Sequence, residues 1–275
     1  MNYRHTFHAG NFADVFKHVI LVALTKSLLR KENAFCYIDT HSGIGHYDLT
    51  SAAALKGKEF VNGIAKILAE KNPPELVKDY LNCVAKINNN SEKLTFYPGS
   101  PYFVRSLFRE HDRMVLCEWQ EQEYETLRKF FSRDKQVAVH HQDAYNGLKA
   151  FLPPKERRGL VLIDPPYEKP DEYDLLMKQL PLAIERWETG IFALWYPIKE
   201  RRAAERFLEK LKNKMTRPIL TAELSVYPEN IATHLNGSGM LIVNPPWQLD
   251  QEINAVLPWL WKVLSIDGKG KYSLR

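Results

Sequence analysis

Residues 159–167 read GLVLIDPPY. An unbroken apolar run ends at Asp164, and two prolines and a tyrosine follow. Such a run, closed by a proline turn, reads as a strand buried on both faces, as in a parallel sheet. Residues 239–247, GMLIVNPPW, repeat the pattern with Asn244 for Asp164 and Trp247 for Tyr167. Only strand direction separates the two, and direction depends on the segments around them.

Strands are expected at RMVLCE (113–118), QVAVHH (136–141), GLVLID (159–164) and GIFALWYP (190–197). Helical patterns alternate with them at 120–133, 144–152, 173–187 and 199–215. LTAELSVYP (220–228) and GMLIVN (239–244) read as the last strands. AFCYID (34–39) reads as the first, after a helix at 12–31 with Asn11 as its N-cap. This alternation implies an α/β chain with a mostly parallel, doubly wound sheet. Between the first and second sheet strands, 56–70 and 74–87 each read as one helix. LTFYPGSP (94–101) is a short extended piece ending in Ser100 as an N-cap and Pro101 in the first turn. The two KERR tetrads, 155–158 and 199–202, read as solvated charge runs.

The link 229–238, ENIATHLNGS, is too short for a parallel crossover, which usually needs a dozen or more residues. The last strand is therefore expected to be antiparallel. NPPW then lies on the opposite rim from DPPY, with Trp247 as packing.

Composition sets limits. A chain of 275 residues with 45% hydrophobic and 26% charged residues is ordinary for a globular protein. The net charge of +5 permits a nucleic-acid partner without requiring one. The polar start is no signal peptide, and the longest apolar run is too short to span a membrane. Cys36, Cys83 and Cys117 read as reduced thiols, which suits the cytoplasm. No His or Cys spacing suggests a metal site.

DPPY offers specific chemistry. An exocyclic amine on a nucleobase is a poor nucleophile, because its lone pair is delocalised. The Asp164 carboxylate and the Pro165 carbonyl can each accept one N–H, which aims that lone pair at an electrophile. The prolines stiffen the turn. Tyr167 supplies a ring for a flipped base. A plain strand exit would use the same residues. THSGIG (40–45) follows the first strand and resembles a nucleotide-binding turn, although many strand exits need glycine. Glu118 ends the next strand, where a carboxylate can accept ribose hydroxyls; an exposed carboxylate is the alternative. Asp143 can pair with an adenine amino group or cap a helix. The ordered set is far more specific than any member.

DPPY after a glycine turn is the signature of S-adenosylmethionine-dependent amino-methyltransferases. YRHTFHAGNFADVFKH (3–18), DTHSGIGHY, YPGSP, LIDPPY, ALWYP and NPPWQL narrow the match. With these the chain closely resembles the RlmJ family of bacterial 23S ribosomal RNA adenine-N6 methyltransferases, from Tyr3 to about Trp261. The resemblance implies a Rossmann-like class I methyltransferase fold with a seven-stranded sheet, built from 1–47 and 96–275, and a helical insertion at 48–95. It implies cofactor contacts from Lys17, His18, His41, Ser100, Glu118, Asp143, Ala144 and Asp164, with Asp164 catalytic. It places Tyr3 on the target adenine. Arg4 on phosphate and His5 beside them complete a segment that can fold over a substrate, and Pro165 and Tyr167 face the base. Ile44 departs from the family's small residue in the glycine turn. His18 and Ser100 also have plain structural readings, as do His140 and His141.

The expected partner is 23S ribosomal RNA, with no membrane and no obligate protein partner, for a monomer. The nearest rival is a DNA adenine-N6 methyltransferase, or a protein linked to use of external DNA. A non-catalytic nucleic-acid-binding relative is a further rival, which the intact DPPY opposes. A nicotinamide dehydrogenase is another, which the missing third glycine opposes. The insertion's Lys56, Lys58, Lys66, Lys71, Lys78, Lys86 and Lys93 either track RNA backbone or form solvated faces.

Overall fold

The computed structural model describes residues 4–168, 171–228 and 235–275. Its sheet is built on β1 (Cys36–Asp39), which pairs in parallel with β4 (Arg113–Glu118) on one side and β6 (Gly159–Ile163) on the other. β5 (Val137–His141) joins β4 in parallel, and β7 (Ile191–Ile198) joins β6 in parallel. Because these strands run parallel, their carboxyl ends meet at one rim.

β9 (Gly237–Val243) lies antiparallel between β7 and β8 (Ile219–Ser225). Residues 229–234 lie outside the described residues, but pairing of Ser225 with Gly237 makes the β8–β9 connection a hairpin. The expected direction of the GMLIVN strand holds.

An eighth strand, β10 (Lys271–Leu274), adds antiparallel to β8, so among the described residues the sheet has eight strands where seven were expected. It is reached through α10 (Leu249–Leu264), for which the sequence reading gave no element. Outside this sheet, β2 (His46–Asp48) and β3 (Phe96–Pro98) pair antiparallel.

Period-two alternation divides the sheet's side chains between two cores. Tyr37, Met114, Leu116, Leu160 and Leu162 face α1 (Phe12–Leu29) and α10. Cys36, Ile38, Val115, Val161 and Ile163 face α7 (Ala144–Phe151), α8 (Glu172–Arg186) and α9 (Arg201–Lys212). α1 is apolar on nearly every side and is buried accordingly. It packs against α10, α4 (Glu75–Ile87) and α5 (Ser100–Arg105). Each fully buried Leu or Phe there contributes about 2 kcal/mol. Asn11 caps α1, accepting from the Asp14 amide at 2.9 Å.

Several local expectations need correction. The single helix expected at 56–70 is broken into α2 (Ala52–Gly57), a 3-10 turn at Glu59–Asn62 and α3 (Ile64–Ala69). Lys58 takes the left-handed conformation, with φ of 51°. Gly63 lies so close to Gly10 that an added Cβ would stand 2.0 Å from the Gly10 carbonyl oxygen. Ser100 is the first residue of α5 and Gly99 its cap, so the serine hydroxyl is not a cap. The KERR tetrads are not simply solvated. Arg201 pairs with buried Glu223 at 2.6 Å, and Glu156 pairs with Arg113 at 2.7 Å.

Trp247 is 82% exposed, not packed. The turn that carries it has Asn244 and Gln248 in the left-handed region, and its carbonyl accepts from Arg30. Asn244 donates to the carbonyls of Glu188 and Gly190, both at 2.8 Å. Those residues precede β7, so NPPW sits at the rim opposite DPPY.

Candidate active site

A cavity of about 750 Å³ opens at the carboxyl rim of the parallel strands. Lys17 and His18 reach it from α1. His41 reaches it from the turn after β1, Ser100 from α5 and Glu118 from the end of β4. Asp143 and Ala144 reach it from the start of α7, and Asp164, Pro165 and Tyr167 from the exit of β6. His5 lines it too. Arg4 is exposed and does not, and Tyr3 lies outside the described residues. Sequence-distant residues thus converge because four neighbouring strands end side by side.

Ion pairing organises the floor. Lys17 Nζ is 2.5 Å from Asp164 Oδ2 and 2.9 Å from Asp14 Oδ1. His5 Nε2 is 2.8 Å from Asp14 Oδ2, which also accepts the Gly10 amide. Burial alone would raise the Asp14 carboxyl, but His5 and Lys17 outweigh it and hold it well below its usual range. Burial would likewise lower Lys17, and the two aspartates raise it instead. Lys17 is therefore a firmly charged ammonium shared by two carboxylates. Among the described residues only Oδ2 of Asp164 is engaged, and the residue lines the cavity, which leaves Oδ1 as a further acceptor.

The opposite wall is built on acceptors. Glu118 is buried, contrary to the exposed alternative, and accepts the Gly43 amide at 2.9 Å and the Gln120 amide at 2.8 Å. It ties the glycine turn to β4. Burial raises its carboxyl. Gly43 and Gly45 both have positive φ, at 58° and 83°. Ile44 between them packs against the core, so the departure from a small residue does not fill the cavity. Asp143 Oδ1 caps α7, accepting from the Tyr145 and Asn146 amides. The cap and a second acceptor role are compatible, since a carboxylate has further lone pairs.

His18 is buried, with Nδ1 at 2.9 Å from the Tyr97 hydroxyl and Nε2 unpartnered among the described residues. Burial, then the charge of Lys17, pushes its imidazole well below the usual range, so it is neutral. Burial pushes His41 down to about 4. Ser100 donates to Asp39 Oδ2 at 2.7 Å. Tyr167 has φ of 51°, an uncommon conformation for a bulky residue, and its hydroxyl donates to the Trp195 carbonyl at 2.7 Å. That bond holds the ring against Tyr173 and Trp195. His140 lies against Phe151, and His141 contacts the Trp119 carbonyl; neither lines the cavity.

Sequence reasoning missed Asp14, Asp39, Trp119 and Trp195. Asp39 directly precedes the glycine turn. It accepts from Tyr37, Ser100 and the His41 amide, and burial raises it to about 6. Trp119 directly follows Glu118, is 62% exposed and lines the cavity, a position legible from Glu118. The buried Trp195 Nε1 has no partner among the described residues. Asp14 carried a faint signal, three residues before Lys17 on one helix face. No group of three or more His, Cys, Asp or Glu among the described residues is arranged to hold a metal ion.

A parallel sheet with an antiparallel strand inserted near one edge, a glycine turn after β1, a carboxylate after β4 and DPPY after β6 define a Rossmann-like methyltransferase. Comparison with known proteins narrows the class. The family model described as ribosomal RNA large subunit methyltransferase D, RlmJ, matches residues 32–275. Ribosomal RNA large subunit methyltransferase J of Haemophilus influenzae is 41% identical over 274 residues, covering 100% of this chain and 98% of that protein. The Escherichia coli protein of the same name is 42% identical over 270 residues, covering 98% and 96%. The crystal structure of protein LPL1258 from Legionella pneumophila superposes with a TM-score of 0.90 at 36% identity, covering 98% of each chain. The chain belongs to the ribosomal RNA large subunit methyltransferase J family.

Proposed function

We propose that the protein methylates the N6 amine of a specific adenine in 23S ribosomal RNA. Family membership makes it a large-subunit ribosomal RNA methyltransferase that uses S-adenosylmethionine. The choice of adenine N6 rests on one observation: Asp164 and Pro165 share a cavity with the glycine turn and Glu118.

The cavity fits the cofactor. Its unpartnered His18 Nε2, the open glycine turn and the Glu118 carboxylate offer polar partners at separate points of an elongated ligand. Lys17, His18, His41 and Ser100 would hold its amino-acid end, Glu118 its ribose, and Asp143 with Ala144 its base. When bound, S-adenosylmethionine supplies an electrophilic methyl group on sulfur, and no covalent enzyme intermediate is needed.

Asp164 Oδ1 and the Pro165 carbonyl each accept one hydrogen of the target amine, turning its lone pair toward the cofactor pocket. Lys17 holds the Asp164 side chain in place. The amine's proton leaves during or after transfer, and Asp164 need not act as a strong base. Tyr167 offers its ring to the base, with Tyr3, Arg4 and His5 on the substrate side.

The segment 48–95 is proposed as an insertion subdomain attached at the β2–β3 pair. The protein is proposed to act as a cytoplasmic monomer without an obligate protein partner. No helix among the described residues is long and apolar enough to cross a membrane.

Labelled S-adenosylmethionine with unmodified 23S RNA and sequence-matched DNA tests the reading. N6-methyladenine at one mapped RNA position is expected. Methylation of the DNA alone, or of another atom, would overturn it.

A further inference from the structure

We propose that Tyr97 is a positioning residue of the cofactor site: its hydroxyl fixes His18 as a hydrogen-bond donor, through Nε2–H, to the bound ligand. The proposal rests on the assignment of the cavity to S-adenosylmethionine.

Three buried groups form a chain. His18 Nδ1 is 2.9 Å from the Tyr97 hydroxyl oxygen, which is 3.1 Å from the Tyr80 hydroxyl oxygen. Both tyrosines are fully buried, and His18 nearly so. Tyr97 belongs to β3 and Tyr80 to α4, so the chain runs from the segment between β2 and β3 into the cavity wall. Tyr80 stacks on Phe103 and His18 packs tilted against the same ring, which holds both in place.

Proton counting decides the direction of the chain. A neutral imidazole carries one N–H. If it sits on Nδ1, it donates to Tyr97, and Tyr97 donates to Tyr80. The Tyr80 proton then has no acceptor in a dry interior, which costs about 1–3 kcal/mol. If Tyr80 donates to Tyr97 and Tyr97 donates to Nδ1, every hydroxyl proton is satisfied. The imidazole hydrogen then sits on Nε2, which has no partner among the described residues in either arrangement, so this one leaves a single group open where the other leaves two. His18 lines the cavity with Nε2 itself buried, so a ligand would have to close onto the ring to accept from it. A donor there selects an acceptor such as a carboxylate over an ammonium. The neighbouring Lys17 ammonium favours the same sign.

The nearest charged and titratable groups do not compete for the ring. Lys17 is occupied by Asp14 and Asp164, and His5 by Asp14. Ser100 is bound to Asp39.

The test uses the full chain labelled with nitrogen isotope in its histidine rings, with His18 assigned from His18→Gln. In the ligand-free wild type the His18 ring is expected as the Nε2–H tautomer. Tyr97→Phe is expected to give a mixture of tautomers. It should also weaken S-adenosylmethionine binding about fivefold, the loss of one neutral hydrogen bond, and weaken the decarboxylated analogue less. An Nδ1–H ring in the wild type overturns the proposal, even if Tyr97→Phe fails to fold. So does a Tyr97→Phe protein in which the tautomer, or the difference between the two ligands, is unmoved. The wild-type ring is read without cofactor, so a protein that shows the Nε2–H ring but binds no S-adenosylmethionine contradicts the cofactor assignment and leaves the ring assignment standing.

Discussion

Lys17 Nζ sits between two carboxylates, 2.5 Å from Asp164 Oδ2 and 2.9 Å from Asp14 Oδ1. The carboxylate proposed to orient the target amine is thereby anchored to the first helix. Asp164→Ala removes the acceptor but leaves Lys17 paired with Asp14. Methyl transfer from labelled S-adenosylmethionine should fall at least about a hundredfold, with an unfolding curve close to wild type. Substantial turnover by this variant would sink the assignment of Asp164.

Lys17→Met has the opposite profile. It leaves buried Asp14, which keeps His5, and half-buried Asp164 without their shared cation. Removing one partner of a buried pair typically costs about 3–5 kcal/mol. Urea unfolding should show a loss of that order. A variant as stable as wild type would mean that the ion pair does not form in solution.

Asn244→Ala separates the two Pro-Pro turns. Asn244 donates to two carbonyls that precede β7, on the rim away from the cavity. Its loss leaves two carbonyls short of a donor and should cost about 1–3 kcal/mol of stability. Turnover per folded molecule should stay near wild type. Lost turnover with an intact fold would reverse the choice between DPPY and NPPW.

That choice was legible because it rested on chain length. Ten residues cannot make a parallel crossover, so the direction of β9 followed from 229–238 without any tertiary information. The strand ends carrying Glu118, Asp143 and Asp164 were legible for a similar reason, since alternating elements imply a shared rim. What stayed hidden depends on contacts between distant segments. Asp14 looks like a first-turn acid favourable to the helix dipole, and only the fold brings Asp164 to Lys17 beside it. Lys58 and Gly63 break an apparently continuous helical pattern because Gly10 packs there. β10 has too little apolar alternation to stand out, and it pairs only because β8 offers an open edge.

The cysteines give a chemical check on burial. Cys36, Cys83 and Cys117 are free and buried. Burial pushes the Cys36 and Cys117 thiols up to about 12 and raises Cys83 as well. The thiolate is the reactive form. A thiol-specific reagent at neutral pH should therefore label the folded protein slowly and at the rate of opening, with rapid labelling in denaturant. Fast stoichiometric labelling of Cys36 or Cys117 in the native protein would contradict the packing of the sheet core.

His41 supplies the pH prediction. Burial lowers its imidazole from 6.5 to about 4, although Asp164 and Asp143 pull the other way. Between those values the unfolded chain binds a proton that the folded site refuses. The contribution of His41 to stability is therefore full above about 6.5 and is lost as the pH falls toward 4. His18, also held neutral, adds to the same slope, so the difference between variants isolates each ring. His41→Gln should flatten part of the decline in unfolding free energy over that window. Ring resonances of His41 should titrate near the lower limit. A midpoint near that of a free histidine would show that water reaches the ring and that burial does not hold it neutral. Should the lower midpoint hold, cofactor affinity will show no step from His41 near neutral pH, because the ring stays uncharged there.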